Sequence, residues 1–364
     1  MKKLEFLFWL QFLLVIVASS HQLSKWFFGI PVLIGLIFAV NLIFSKKFDL
    51  NNSINAFFSI FLVGYFLRSV FLLELGSVRF VLDIAMILSS YGLTSTFSNM
   101  QISQKGYYFA CSLLSIFLIY SLILLLAGIP QIDGISWVFL SGSYHLVAWI
   151  GLLLVAILES RKLKVSITPY VLFFVLCLVL GGRTGIVVST LMLLFKGAVF
   201  SSKNVYKRLL FSVFVVGIYF VVEIFSSIEA ISGDLGARAL LLGQREYIYA
   251  CFFDNISFSM LIFGYNPSEI GWCIESHIDN ISLESSLISL NYNLGIFAVP
   301  IIMILISRLK SLYQSKQMLA VIVFALIIRI STGEFVFITP YDWLLLLIFF
   351  SSNPVESRVS ARSI

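Results

Sequence analysis

The sequence predicts an all-α, polytopic membrane protein of about 12 transmembrane helices, with one long outer loop between spans nine and ten. Three observations carry this. The 364 residues are 60% hydrophobic and only 12% charged, with a mean hydropathy of +1.03. A soluble chain of this size carries about twice that charge. Apolar runs of roughly 17–25 residues recur along the chain, the length a helix needs to cross a bilayer. Lysine and arginine gather in alternate connections between these runs, which is the charge asymmetry that orients membrane helices. Residues 1–364 therefore read as a single integral-membrane domain, with no room for a large soluble one.

The first run follows Met1-Lys2-Lys3 and reaches Ser20 without an A-x-A-like cleavage site, so it is expected to stay as an uncleaved span over 5–20. The others are expected at 26–44, 54–73, 80–97, 107–128, 135–157, 166–181, 185–200, 209–227, 284–307, 317–337 and 341–352. With the N-terminus inside, the cytoplasmic connections hold Lys46 and Lys47, Lys105, then Arg161, Lys162 and Lys164. Lys203, Lys207 and Arg208 follow, then Arg308, Lys310 and Lys316. Lys2, Lys3, Arg358 and Arg362 add to the same side, so both termini are expected in the cytoplasm. The outer side holds Lys25, Arg79, Arg183, Arg238 and Arg245. The net charge of +6 is thus a topology signal, and no nucleic-acid partner is expected.

The long connection, 228–283, lies outside. Within it, 246–263 (EYIYACFFDNISFSMLIF) is apolar enough to tempt a thirteenth span. A crossing there would carry Arg308, Lys310 and Lys316 to the outer face and bury Asp254 in hydrocarbon. An amphipathic or re-entrant helix at the outer membrane surface is expected instead. Cys111, Cys177, Cys251 and Cys273 show no C-x-x-C spacing, so no metal site is expected. Cys111 and Cys177 fall inside spans as small apolar fillers. Cys251 and Cys273 share the outer loop, and spacing does not decide whether they pair. No repeat period is visible, and the irregular features sit in the second half, unlike a transporter of inverted repeats.

Three stretches on the outer side hold candidates for chemistry. In LGGRTGIVVS, 180–189, Gly181 and Gly182 permit a tight turn and a helix begins near Thr184. Arg183 then sits at a helix N-terminus, where the dipole is already positive and the first N–H groups lack partners. Arg183, Thr184 and those amides together make a phosphate cradle; the competing reading is an arginine snorkelling to ordinary lipid phosphates. In GARALLLGQREY, Arg238 and Arg245 are seven apart and share a face in a helix, with Asp234 and Glu246 close enough for a plain salt-bridged loop. In ESHIDNISLESSLISLNYNLGIF, 275–297, the helical spacing aligns His277, Asn280, Glu284 and Asn291. Asp279 or Asn280 as a helix cap beside a loop histidine is the simpler alternative, but it leaves Glu284 unexplained. Other charges within spans are Arg68, Asp83, Glu223, Arg329 and Glu334. Arg68 is expected to snorkel or to pair with Glu74 or Asp83, Arg329 to snorkel or pair, and His145 to be a hydrogen-bonded core histidine.

These stretches, in this order, resemble the bacterial O-antigen polymerases within the wider O-antigen ligase and polymerase superfamily. GGRTG at 181–185 looks like the arginine motif between two spans; Arg238 and Arg245 open a long periplasmic loop. FGYNP at 263–267 is similar to a G-x-G-like turn, and H-x-D-N at 277–280 leads into a helix with Gly295. The resemblance covers roughly 165–310 and implies an inner-membrane glycosyltransferase of lipopolysaccharide biosynthesis, acting at the periplasmic face. Such an enzyme moves the growing chain from undecaprenyl diphosphate to a sugar hydroxyl at the non-reducing end of a new lipid-linked repeat unit. It implies Arg183, Thr184, Arg245 and Arg238 toward the diphosphate, His277 as base with Asp279 supporting, and Asn280 and Glu284 lining the acceptor side. It implies no cofactor or metal, inversion at the anomeric carbon if attack is direct, and a chain-length regulator as partner beside the membrane lipid. Ile278 and Asp279 separate the histidine from the asparagine, a departure from the tighter H-N pairing of the ligases. The lipopolysaccharide ligase, with a lipid A-core acceptor, is the nearest alternative. A lipid-linked oligosaccharide flippase is the alternative of a different class, with basic residues along a two-sided cavity instead of one face.

Overall fold

The structure is a computed structural model describing residues 2–18, 29–45, 53–129, 144–162, 164–181, 183–196, 256–264, 290–291, 293–315, 317–331, 339 and 341–350. Among the described residues the regular elements are all helical. They are α1 (Lys3–Ala18), α2 (Gly29–Phe44), α3 (Ser53–Phe71), α4 (Val78–Phe97), α5 (Gln104–Leu126), α6 (Tyr144–Arg161), α7 (Thr168–Leu180) and α8 (Arg183–Lys196). After them come α9 (Phe258–Phe263), a 3₁₀ turn (Gly295–Phe297), α10 (Ala298–Ser315), α11 (Gln317–Ser331) and α12 (Asp342–Phe349). Among the described residues four stretches are long and apolar enough to cross a membrane: α3, α4, α5 and Gly295–Leu312. Each expected span carries helix except 209–227, which lies outside the described residues, as do 228–255 and 265–283 of the expected loop.

Side chains explain which helices sit inside. Every residue of α12 is buried, and so is every residue of α6 from Leu146 through Leu158. A helix apolar on all sides belongs in the centre of a bundle. Phe8 of α1 closes the core edge-on against Phe97 of α4 at 5.4 Å and Trp343 of α12 at 5.5 Å. By contrast Ile116, Ile119 and Ile123 of α5 are exposed, as an apolar face toward lipid would be. The helices α2 and α4 meet through glycines. A Cβ on Gly92 would lie 2.3 Å from the Gly35 carbonyl oxygen and 2.5 Å from the Ala39 nitrogen. Small residues let backbones approach where apolar burial gives no net drive between helices.

Two boundaries differ from the sequence expectation. The span expected at 135–157 continues as helix to Arg161, which is 6% exposed and not a solvated loop cation. Its Nη1 donates to the Ser98 carbonyl just past α4, and its Nη2 to the Leu347 carbonyl of α12. Helix C-termini leave carbonyls without intrahelical partners, and the guanidinium fork satisfies one from each helix. The span expected at 284–307 is broken: Leu294 has φ −126° and Gly295 φ +54°, and α10 starts only at Ala298. Helix then runs to Ser315, carrying Arg308 and Lys310 that were expected in a connection. The Arg308 guanidinium lies 5.5 Å from the centre of the Phe350 ring and Leu312 is buried, so this polar turn is held by packing.

Candidate functional site

At the C-terminal end of α3 the chain turns through Leu73, at φ +54°, into α4, whose N-cap Ser77 accepts from Phe80 N at 3.1 Å. Charges that would be costly in an apolar bundle are paired here. Arg68, 1% exposed, forms an ion pair with Glu74. The Tyr65 hydroxyl donates to Asp83 Oδ2 at 2.5 Å, and Arg79 Nε approaches the same oxygen at 3.8 Å. The expected pairing of Arg68 is therefore met by Glu74, and Asp83 is held by the tyrosine. These groups brace the α3–α4 turn.

Beside this turn lies α9, six residues long and far short of a crossing. Ser257 caps its start by accepting from Met260 N at 3.2 Å, and Gly264, at φ +78°, ends it. Phe263 places its ring 3.9 Å from that of Phe71, the last residue of α3. On its other side α9 rests on the break before α10. A Cβ on Gly295 would lie 2.1 Å from the Ile262 carbonyl oxygen and 2.7 Å from Gly264 N. The same break rests on α3, where a Cβ on Gly64 would lie 2.7 Å from Phe297 Cβ. The Asn291 amide donates to the Gly295 carbonyl at 3.4 Å. Gly264 of FGYNP and Gly295 of the following helix, distant in sequence, are thus in contact. Gly64 had no local signal, because its neighbour is set by the fold.

The arginine motif has the expected backbone. Gly181, at φ +68°, ends α7 with its N–H shared between the Cys177 and Leu178 carbonyls at 3.1 and 3.2 Å. One residue later α8 begins at Arg183, so Arg183 and Thr184 occupy its first turn, which holds no acidic residue. Gly185 lets α8 close on its neighbours, with an added Cβ at 3.3 Å from Cys177 Sγ and 3.7 Å from Ala148 Cβ. The unpartnered amides of a helix start and an arginine are both anion-seeking.

The side chains of Arg183 and Thr184 lie outside the described residues, as do those of His145 and Arg329. Arg238, Arg245, His277, Asp279, Asn280 and Glu284 lie wholly outside them, with Glu223, Glu334, Cys251 and Cys273. Cys177 is buried and Cys111 half-buried. Among the described residues no three His, Cys, Asp or Glu gather closely enough to hold a metal ion. The chain matches no protein-family profile, no curated protein and no solved structure.

Proposed function

We propose that this chain is an O-antigen polymerase, a glycosyltransferase of the bacterial inner membrane with both termini in the cytoplasm and its site at the periplasmic face. The observation that carries the reading is the elbow in which left-handed Gly181 delivers Arg183 to the first turn of α8. A lipid diphosphate is a stable anion on leaving and needs charge neutralisation more than a proton. Arginine supplies this by bidentate hydrogen bonds, and helix-start amides add to it. Arg183, Thr184 and Arg245 take the diphosphate, with Arg238 beside them. The acceptor sugar hydroxyl is the weaker reactant. His277, whose ordinary pKa is near neutrality, removes its proton with Asp279 in support, while Asn280 and Glu284 line the acceptor side. Direct displacement inverts the anomeric carbon, and no metal is required for it. The meeting of Gly264 with Gly295 supports the reading further, since it joins two stretches on which the resemblance rests.

The test is complementation of a host lacking the gene, with surface-polysaccharide length read on gels and expression checked. Wild type restores a ladder of long chains, and Arg183→Ala leaves one repeat unit on lipid A-core. Core bearing no repeat at all in the deletion strain would point to a ligase or a flippase instead.

A further inference from the structure

The hairpin that carries Arg183 is shorter than the helix beside it. α5 has 23 residues and rises about 34 Å, whereas α7 has 13 and α8 has 14, rising about 20 and 21 Å. All three share one base with α6. Lys162 Nζ, just past α6, donates to Gln104 Oε1 at the start of α5 at 2.6 Å and lies 3.9 Å from the centre of the Tyr107 ring. The Tyr107 hydroxyl shares a hydrogen bond with Ser166, just ahead of α7. At the far end of α8, Lys196 Nζ donates to Glu159 Oε2 of α6 at 2.9 Å, and the Tyr170 hydroxyl of α7 donates to the same oxygen at 2.7 Å. Heights above this base follow from the helical rise. Gly185 is level with Ala148 of α6, because an added Cβ would lie 3.7 Å from Ala148 Cβ. Counted along α6 from Arg161, that level is about 20 Å up, which puts Arg183 at about 22 Å. Counting along α8 from Lys196, paired at the level of Glu159, gives the same height. Leu126 at the end of α5 stands at about 33 Å. α5 and α7 pack side by side, so tilt shortens both alike.

The elbow is therefore sunk below the outer end of its neighbour. Ile123, Leu125 and Leu126 of α5 stand above its level and are exposed apolar side chains, so hydrocarbon reaches past the elbow. Gly181 is itself exposed among the described residues, and an added Cβ there meets nothing within 4 Å. The last carbonyls of α7 and the first amides of α8 lack intrahelical partners at this point. Non-helical backbone at membrane depth is tolerated only when it is packed in protein or lines water. We propose that the Gly181–Arg183 elbow is the floor of a water-filled recess, about 10 Å deep, that opens to the outer face beside α5. The occupant rests on the polymerase reading: the diphosphate head group descends to the arginine while its lipid chain stays in the bilayer. Apolar walls then strengthen the attraction of the arginine for the leaving diphosphate relative to a site on the open surface.

The experiment measures the reaction of single cysteines with a small, membrane-impermeant sulfonate methanethiosulfonate added from the outer side. A thiol reacts as thiolate, which forms in water and not in hydrocarbon. In a full-length background with the four cysteines replaced, three positions are compared. Gly181→Cys probes the recess. Gly128→Cys, with the same left-handed backbone at φ +67° and open space around it, marks full access at the outer end of α5. Ile119→Cys, exposed on α5 at about 22 Å, marks hydrocarbon at the height of the elbow. Gly181→Cys should react within about tenfold of Gly128→Cys, and Ile119→Cys at least a hundredfold more slowly. Thr184→Cys, in the first turn of α8, replaces Gly181→Cys if that variant does not accumulate. Labelling of Gly181→Cys as slow as that of Ile119→Cys, or only from the inner side, would overturn the recess. In liposomes, added undecaprenyl diphosphate should slow the labelling of Gly181→Cys at least tenfold, and inorganic diphosphate should do so less. Rapid labelling that undecaprenyl diphosphate leaves unchanged would remove the diphosphate as occupant, and with it the role of the elbow in the polymerase reading, while the recess itself would stand.

Discussion

Arg161 shows how one residue can serve as a fastener between elements. Its guanidinium takes the Ser98 and Leu347 carbonyls at once, and its own carbonyl accepts from Ile102 N at 3.1 Å. Lysine donates from a single nitrogen and does not reproduce the planar, two-nitrogen fork. Removing the donors leaves buried carbonyls without partners, at about 1–3 kcal/mol each. Arg161→Ala should therefore destabilise the protein by roughly 2–6 kcal/mol, and Arg161→Lys should recover less than half of that. Thermal unfolding in detergent, followed by intrinsic fluorescence, checks both. Equal stability of Arg161→Ala and wild type would mean that the fork carries no load. Glu5 works by the same logic at the start of α5, where its Oε1 accepts from Ser103 N at 2.9 Å and Ser103 Oγ at 3.0 Å. A carboxylate there also answers the positive end of the helix dipole.

Between elements, contact is governed by what is missing from the side chains. The α2–α4 seam closes on Gly35 and Gly92, and Ser89 Oγ would be only 1.9 Å from a Cβ on Gly35. Gly92→Ala should force the two helices apart and cost about 1–3 kcal/mol, the usual range for an overpacked core. The same substitution at Gly29, where an added Cβ meets nothing within 4 Å, should be nearly neutral. Detergent melting of the pair measures the difference, and equal losses at the two positions would contradict a close seam. The break at Gly295 belongs to the same class. Apolar periodicity runs straight through 284–307, so the sequence pattern expects one helix. The interruption is imposed by a backbone 31 positions earlier, at Gly264, and no local pattern encodes that partner.

At the scale of the whole molecule, what was legible in the sequence is what hydropathy and charge encode locally. Apolar runs located α1 to α5, α7 and α8 to within a few residues, because a lipid-facing or core-facing helix must be apolar along its own length. The glycine turn ahead of Arg183 was legible because its cause, a left-handed residue between two helices, sits in adjacent positions. The burial of Arg161 was not legible, because it comes from carbonyls beyond the end of α4 and in α12, distant in sequence. Of the proposed site, the Gly181–Arg183 elbow and the Gly264–Gly295 contact belong to the described residues, and the histidine stretch lies outside them. The proposed function assigns the arginine elbow to a leaving diphosphate.

The most direct measurement is reconstitution of the purified protein in liposomes with undecaprenyl-diphosphate-linked repeat units and a metal chelator, scoring released undecaprenyl diphosphate together with polymer length. The account predicts one undecaprenyl diphosphate freed for each new glycosidic bond, chains longer than one repeat, and at least a hundredfold slower release with Arg183→Ala. Intact lipid-linked repeat units after prolonged incubation, or their movement across the bilayer without any bond made, would contradict it.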